Sequence, residues 1–273
     1  MDNNYRIVFL DIDGTLTDTK KNIMPQTLEA LLKIQDKGII LAIASGRPQK
    51  GVMPYAEMLH LDEHSGLIMP FNGAQIVNYQ TKEVIYQNNI SMEVLKKAYT
   101  LSKEYGVQLI TYKGDYIISE TEDDSFMLIE SRINKMDVIK VDCIIDYIQE
   151  PPVKCLLVGD GEYMGRIEGE IREKIDTQAN VFRSEPFFIE VVPKGIDKAA
   201  SINYLIDKLG IDQDQTIAFG DGYNDISMIK YAGLGVAMKN GCEEIKKVAD
   251  RIAPDNNSEG IACILNEVFK DII

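Results

Sequence analysis

An uninterrupted apolar run, Ile7-Val8-Phe9-Leu10, ends abruptly in two carboxylates and a glycine turn, Asp11-Ile12-Asp13-Gly14-Thr15. No polar alternation breaks the run, so it reads as a strand buried on both faces of a parallel sheet. In open α/β sheets ligands bind outside the carboxyl ends of the strands. Residues two apart on an extended chain point to one side, which puts Asp11 and Asp13 on one rim. One reading makes Asp11 a carboxylate nucleophile and Asp13 a general acid/base for phosphoryl transfer, with a divalent metal holding the phosphate. The others are a calcium loop or a helix cap. An EF-hand loop needs glycine at its sixth position and a late bidentate Glu, whereas Gly14 comes fourth and no such Glu follows. A cap explains one Asp, not two.

The next segments repeat this architecture. Residues 25–37 place Leu28, Leu31 and Leu32 on one face, with Pro25 at the start and Gly38 past the end, the signals of an amphipathic helix. Residues 39–44 form a second doubly buried strand that ends in Ser45-Gly46-Arg47. A strand, helix, strand unit of this length forces parallel pairing, so Ser45 lands on the rim beside Asp11. A serine hydroxyl and the Gly46 amide suit a phosphate oxygen there, although the tripeptide taken alone is more often a turn. Asn72, in Pro70-Phe71-Asn72-Gly73, either reaches the rim or only shapes its turn.

Further on, a helix opens at Lys198 and closes at Gly210. A lysine in the first turn sits at the wrong end for the helix macrodipole, a cost that a bound anion would offset; Lys194 is the competing candidate. Residues 216–219 form another buried strand, ending in Gly220-Asp221-Gly222-Tyr223-Asn224-Asp225. Asp221 takes the rim position, and Asp225 follows in the first turn, where the dipole favours carboxylates. Three acidic rim residues from two strands make a hard-cation site of the magnesium type.

Between Ser91 and Ser184 helix and strand signals continue without another such rim. Residues 88–186 therefore read as an inserted domain, and residues 1–87 and 187–273 as the core, with residues 187–192 as the returning core strand. Gly159-Asp160-Gly161 resembles the later motif but no Asn-Asp follows, so it is assigned no chemistry. Glu120, Glu122, Asp123 and Asp124 read as a solvated loop. His60 and His64 match a zinc spacing, but Pro54 and Gly66 deny them a long helix, and no zinc is expected. The four cysteines form no CxxC pair, which speaks against disulfides or thiolate zinc.

A length of 273 residues suits about two domains. The net charge of −14 argues against nucleic acid. A phosphorylated substrate is itself an anion, so a metal and a well-placed lysine must reverse the field locally. No apolar run approaches the length that spans a bilayer; a soluble, cytoplasmic protein without membrane partners is expected.

With Asp11-x-Asp13-Gly14-Thr15, Ser45, Lys198 and Gly220-Asp221-Gly222-x-Asn224-Asp225 in that order, the chain resembles the haloacid dehalogenase superfamily, and most of all its Cof-type phosphatases. The resemblance implies an α/β fold, a Rossmann-like parallel sheet core with an inserted α+β cap domain between the second and third motifs. It implies a Mg2+-dependent phosphatase of small phosphorylated metabolites, sugar phosphates or similar. In that scheme Asp11 attacks phosphorus, Asp13 protonates the leaving oxygen and then activates water, and Ser45 and Lys198 hold the phosphoryl oxygens. Asp221 ligates magnesium with Asp11 and the Asp13 main-chain carbonyl, with Asp225 and Asn224 supporting that shell and Asp225 grouped with the metal set. Gly46, Arg47 and Asn72 match positions near the substrate. A phosphomutase on the same core and a non-catalytic phosphometabolite sensor are the alternatives. Substrate and oligomeric state are not legible.

Overall fold

A computed structural model describes residues 4–175 and 177–271. In chain order its strands are β1 Ile7–Leu10, β2 Ile40–Ala44, β3 Leu67–Met69, β4 Gln75–Asn78, β5 Val84–Gln87, β6 Gln108–Lys113, β7 Tyr116–Ser119, β8 Asp137–Lys140, β9 Cys155–Val158, β10 Ala179–Glu185, β11 Phe188–Pro193, β12 Thr216–Gly220, β13 Leu234–Met238 and β14 Arg251–Ala253. They form two sheets in two compact units. The first unit holds the residues through Arg47, Val52–Tyr86 and everything from Asp197 onward; the second holds Pro48–Gly51 and Gln87–Ile196.

The first unit is built on an eight-stranded sheet, ordered β14-β13-β12-β1-β2-β3-β4-β5. From β14 to β3 every pairing is parallel. β1 lies between β2 and β12, with Ile7 opposite Ile40 on one side and Thr216 on the other. Its four residues are all fully buried, and the two faces show why the sequence has no alternation there. Val8 and Leu10 pack with Leu41, Ile43 and Phe219 against Leu31, Ile34 and Leu265. Ile7 and Phe9 pack with Ala42 and Ala218 against Ile202 and Leu205 on the opposite face. A strand with helices on both faces must be apolar at every position. Its first polar residue, Asp11, therefore marks where the buried layer ends.

The helix Pro25–Asp36 starts at Met24, which offers no side-chain cap. The cap comes from the far end of the chain. Glu259, in the left-handed region at φ 55, accepts from the Gln26 amide at 3.0 Å and from the Thr27 amide and hydroxyl at 2.7 and 2.8 Å. Those are orphan amides of the first helical turn. Glu259→Ala should cost about 1–2 kcal/mol, the range of a lost N-cap, read as a lower urea midpoint at unchanged slope. Alanine keeps the same backbone strain, so the comparison isolates the cap.

The second unit has a six-stranded sheet ordered β10-β11-β9-β6-β7-β8. The helices Met92–Glu104 and Gly161–Ile175 cover one face through Leu95, Ala98, Met164, Ile167 and Ile171. Here one sequence expectation is corrected. The strand at residues 187–192, expected to return to the core, is β11, and it pairs with β9 and β10 inside this second sheet. The boundary expected between 186 and 187 falls instead between 196 and 197. Phe188, Ile189, Val191 and Val192 are buried as a core strand would be, and apolar periodicity reports burial, not which sheet provides it. The single charge in the run, Glu190, is buried against Lys154 at 3.0 Å. Among the described residues no helix is long and apolar enough to cross a membrane.

Candidate active site

The Asp11 amide still donates to the Phe219 carbonyl at 3.1 Å, prolonging the β1–β12 ladder by one residue. The chain then turns sharply through Gly14, at φ +85. Only glycine fits: a Cβ there would lie 2.3 Å from Asp221 Oδ2. Thr15 follows, and its hydroxyl donates to Asp221 Oδ1 at 2.6 Å. Two loops some two hundred residues apart are thus locked together at the carboxyl ends of adjacent strands.

Lys198 enters this site from the first turn of the helix Lys198–Leu209, whose N-cap Asp197 accepts from the Ala200 amide at 2.8 Å. The Lys198 side chain has no solvent exposure. Its ammonium donates to Asp11 Oδ1 at 2.7 Å and makes a still shorter ion pair with Asp225 Oδ1. Asp225 Oδ2 accepts from the Asp221 and Gly222 amides at 3.0 and 2.9 Å. Asp225 is therefore engaged through both oxygens. One oxygen from each of Asp11, Asp221 and Asp225 lies within 4.8 Å of the others.

Burial pushes the Asp11 carboxyl up to about 8; the Asp225 charge adds to that rise, and Lys198 opposes it. Burial likewise lifts Asp221 to about 6, against the Thr15 hydrogen bond. Burial alone would lower the Lys198 ammonium, but the facing Asp11 and Asp225 carboxylates hold it above the usual lysine range. The lysine stays charged, and one cation serves three neighbouring acids.

Asp13 faces a different partner set. Arg47 grips both its oxygens, Nε to Oδ2 at 2.7 Å and Nη2 to Oδ1 at 2.6 Å, and Lys21 reaches Oδ1 at 2.6 Å. Burial would raise this carboxyl, but the two cations hold it below the usual range. Ser45 is buried at the end of β2, where its hydroxyl accepts from the Arg47 amide at 3.2 Å and its carbonyl from the Asn72 amide at 2.8 Å. Asn72 Oδ1 in turn accepts from Asn224 at 3.0 Å, and a Cβ on Gly46 would meet the Asn72 amide at 3.3 Å. Asn72, at φ 56, thus both shapes its turn and joins the rim. Lys194 is exposed and belongs to the second unit, so the acid cluster holds Lys198 alone of the two lysines.

Three contacts had no sequence warning. The Thr15 grip on Asp221 lies inside a motif whose chemical signal is carried by its aspartates. Lys21 is an ordinary exposed lysine whose reach to Asp13 depends on a left-handed backbone at φ 65. Asn240, which donates to the Gly14 carbonyl at 2.8 Å, stands 226 residues from its partner.

An α/β sheet with acids and a lysine gathered at its carboxyl edge defines an enzyme core of the hydrolase type. Residues 8–265 match the model of the haloacid dehalogenase-like hydrolases. A haloacid dehalogenase-like hydrolase from Bacteroides thetaiotaomicron shares 41% identity at a TM-score of 0.93, over 97% of this chain and 100% of that one. The subclass IIB sugar phosphatase BT4131 shares 27% identity at a TM-score of 0.81, over 98% of this chain and 100% of its own. The Bacillus subtilis 5-amino-6-(5-phospho-D-ribitylamino)uracil phosphatase YitU is 27% identical over 98% of this chain and 99% of its length. The chain belongs to the haloacid dehalogenase-like hydrolase family, and to the phosphatases within it.

Proposed function

We propose that this chain is a Mg2+-dependent phosphatase of small phosphorylated metabolites that works through an aspartyl phosphate on Asp11. The observation that carries the reading is the buried Lys198, paired at once with Asp11 and Asp225 beside Asp221. Uncatalysed phosphate-monoester hydrolysis is among the slowest reactions known, and an anionic nucleophile approaching an anionic phosphate is repelled. Positioning and charge neutralisation must therefore carry the catalysis.

In this reading an Asp11 oxygen attacks phosphorus while the P–O bond to the leaving group breaks. Asp13, which takes up a proton from solvent once the substrate phosphate draws Arg47 from it, gives that proton to the departing alkoxide. Asp13 then takes a proton from water, the resulting hydroxide attacks phosphorus, and the Asp11 O–P bond breaks to release inorganic phosphate. Ser45, the Gly46 amide and Lys198 hold the phosphoryl oxygens. In the free protein Asp13 is committed to Arg47 and Lys21; a phosphate dianion competing for Arg47 returns Asp13 to its acid role. Asn72 and Asn224 border the substrate.

The donor set fits a hard cation: all three clustered groups are carboxylates, with no soft ligand among them. Asp11 and Asp221 would hold it with the Asp13 main-chain carbonyl, while Asp225, already engaged on both oxygens, orients Asp221. Bound Mg2+ would supply charge neutralisation at the phosphoryl oxygens. The second unit serves as the cap that excludes water and selects the leaving group.

The test is phosphate release from sugar phosphates, nucleotides and pyridoxal phosphate, with Mg2+ and then with chelator. Hydrolysis of at least one substrate that chelation abolishes is expected; turnover indifferent to chelation, or an isomeric phosphate in place of free phosphate, overturns the reading. The raised Asp11 and Asp221 carboxyls add a pH signature. Metal binding must displace their protons, so the Mg2+ affinity should rise between about pH 6 and pH 8, by roughly tenfold per pH unit while one proton is displaced. Calorimetric titrations at the two pH values check it.

A further inference from the structure

The loop after β13 touches both acid-bearing loops at once. From Asn240, the side-chain amide donates to the Gly14 carbonyl at 2.8 Å, and its oxygen accepts from the Asn256 main-chain amide at 3.0 Å. Asn256 in turn donates from its own side chain to the Thr17 carbonyl at 2.8 Å, in a buried bond. Two residues past Asn240, the Cys242 amide donates to the Asp221 carbonyl at 3.0 Å. Between them, a Cβ on Gly241 would come within 3.0 Å of the Asp221 backbone. One short loop therefore bears on Gly14 with one residue and on Asp221 with the next two.

The orientation of the Asn240 amide is fixed by its partners. A carbonyl can only accept and a main-chain amide can only donate, so one of the two flip states satisfies both and the other satisfies neither. The loop itself is tied down behind, where the Lys239 amide donates to the Ala253 carbonyl at 3.0 Å. This matters because Gly14 already sits in van der Waals conflict with anything larger than hydrogen against Asp221 Oδ2. The Gly14 peptide and the Asp221 carboxylate are the meeting point of two segments with no covalent link for some two hundred residues. Thr15 ties them from the front; the loop from 239 to 242 ties them from behind.

We infer that Asn240 is a positioning residue of the cation site, setting the Gly14–Thr17 turn against Asp221 so that the carboxylates of Asp11 and Asp221 are held at their spacing before a cation arrives. The inference rests on the metal site of the proposed function. It names no new ligand: Asn240 acts through Gly14, and Gly241 and Cys242 act through the Asp221 backbone. Groups that orient metal ligands from outside change metal affinity by about 10–100-fold when removed.

The experiment is calorimetric titration of the substrate-free protein with Mg2+ alone. Asn240 is exposed, so Asn240→Ala leaves Gly14 and Asn256 open to water and should fold. Its dissociation constant for Mg2+ should rise about 10–100-fold, while the urea midpoint of the metal-free protein moves little. Gly241→Ala, whose Cβ would meet the Met238 carbonyl at 2.9 Å and the Asp221 backbone at 3.0 Å, should weaken Mg2+ in the same direction. A folded Asn240→Ala that binds Mg2+ as the parent does overturns the inference, as does a variant that loses stability with its Mg2+ affinity intact. A parent protein that binds no Mg2+ overturns both this and the metal site. One that binds Mg2+ but hydrolyses no phosphate ester overturns the proposed function and leaves the comparison of dissociation constants standing.

Discussion

Lys198→Met should destabilise the first unit by about 3–5 kcal/mol, the range found when one partner of a buried ion pair is removed. Methionine fills nearly the same volume, so the loss is electrostatic rather than a cavity. The exchange leaves Asp11 and Asp225 facing one another with the ammonium gone. The pH dependence follows from Asp11, whose folded-state carboxyl is already raised to about 8, far above an unfolded aspartate near 4. A group raised on folding contributes stability at low pH and loses it as pH rises through its folded value. Without Lys198 the carboxyl rises further, so the variant should be closest to the parent near pH 6 and furthest from it above pH 8. Urea unfolding at the two pH values measures this. Equal midpoints for variant and parent at pH 8 would show that Lys198 carries no such load.

Asp11→Asn should remove turnover by a factor on the order of 10⁴ or more, the scale on which enzymes lose activity when a nucleophile is replaced. An amide cannot form the aspartyl phosphate. The same exchange replaces a buried acid that burial already keeps from ionising with a neutral amide of the same shape, and Lys198 keeps Asp225 as its partner, so the unfolding midpoint should hold or rise. That combination, a dead enzyme at undiminished stability, separates a nucleophile from a structural acid. Activity within tenfold of the parent ends the assignment of Asp11.

Much of this site was legible before the structure because each piece is announced locally. A run buried on both faces must end where the sheet ends, so the aspartates after Leu10 and Phe219 could be placed on one rim from their neighbours alone. Lys198 was betrayed by a helix start that disfavours it, and in the fold its ammonium meets Asp11 and Asp225. What escaped depends on partners that the chain brings together only in three dimensions. Glu259 capping a helix that begins at Pro25, Thr15 holding Asp221 and Asn240 holding Gly14 each join positions more than two hundred residues apart. The strand β11 failed for a different reason. Phe188, Ile189, Val191 and Val192 carry the signature of burial, and a second sheet can bury them as well as the first.

The place of β1 between β2 and β12 has a consequence for how the protein is made. Ile7 pairs with Ile40 on one edge and with Thr216 on the other. At a ribosomal pace of about 5–20 residues per second, the second neighbour emerges roughly 10–40 s after the first strand. Throughout that interval β1, apolar at all four positions, has one hydrogen-bonding edge without its partner strand. The second sheet, contiguous in the chain from β6 to β11, has its last strand by Pro193, shortly before Thr216 emerges. By then the nascent polypeptide carries a complete second sheet beside a first sheet still short of β12, β13 and β14, and the open edge of β1 is the one at risk of pairing with another chain.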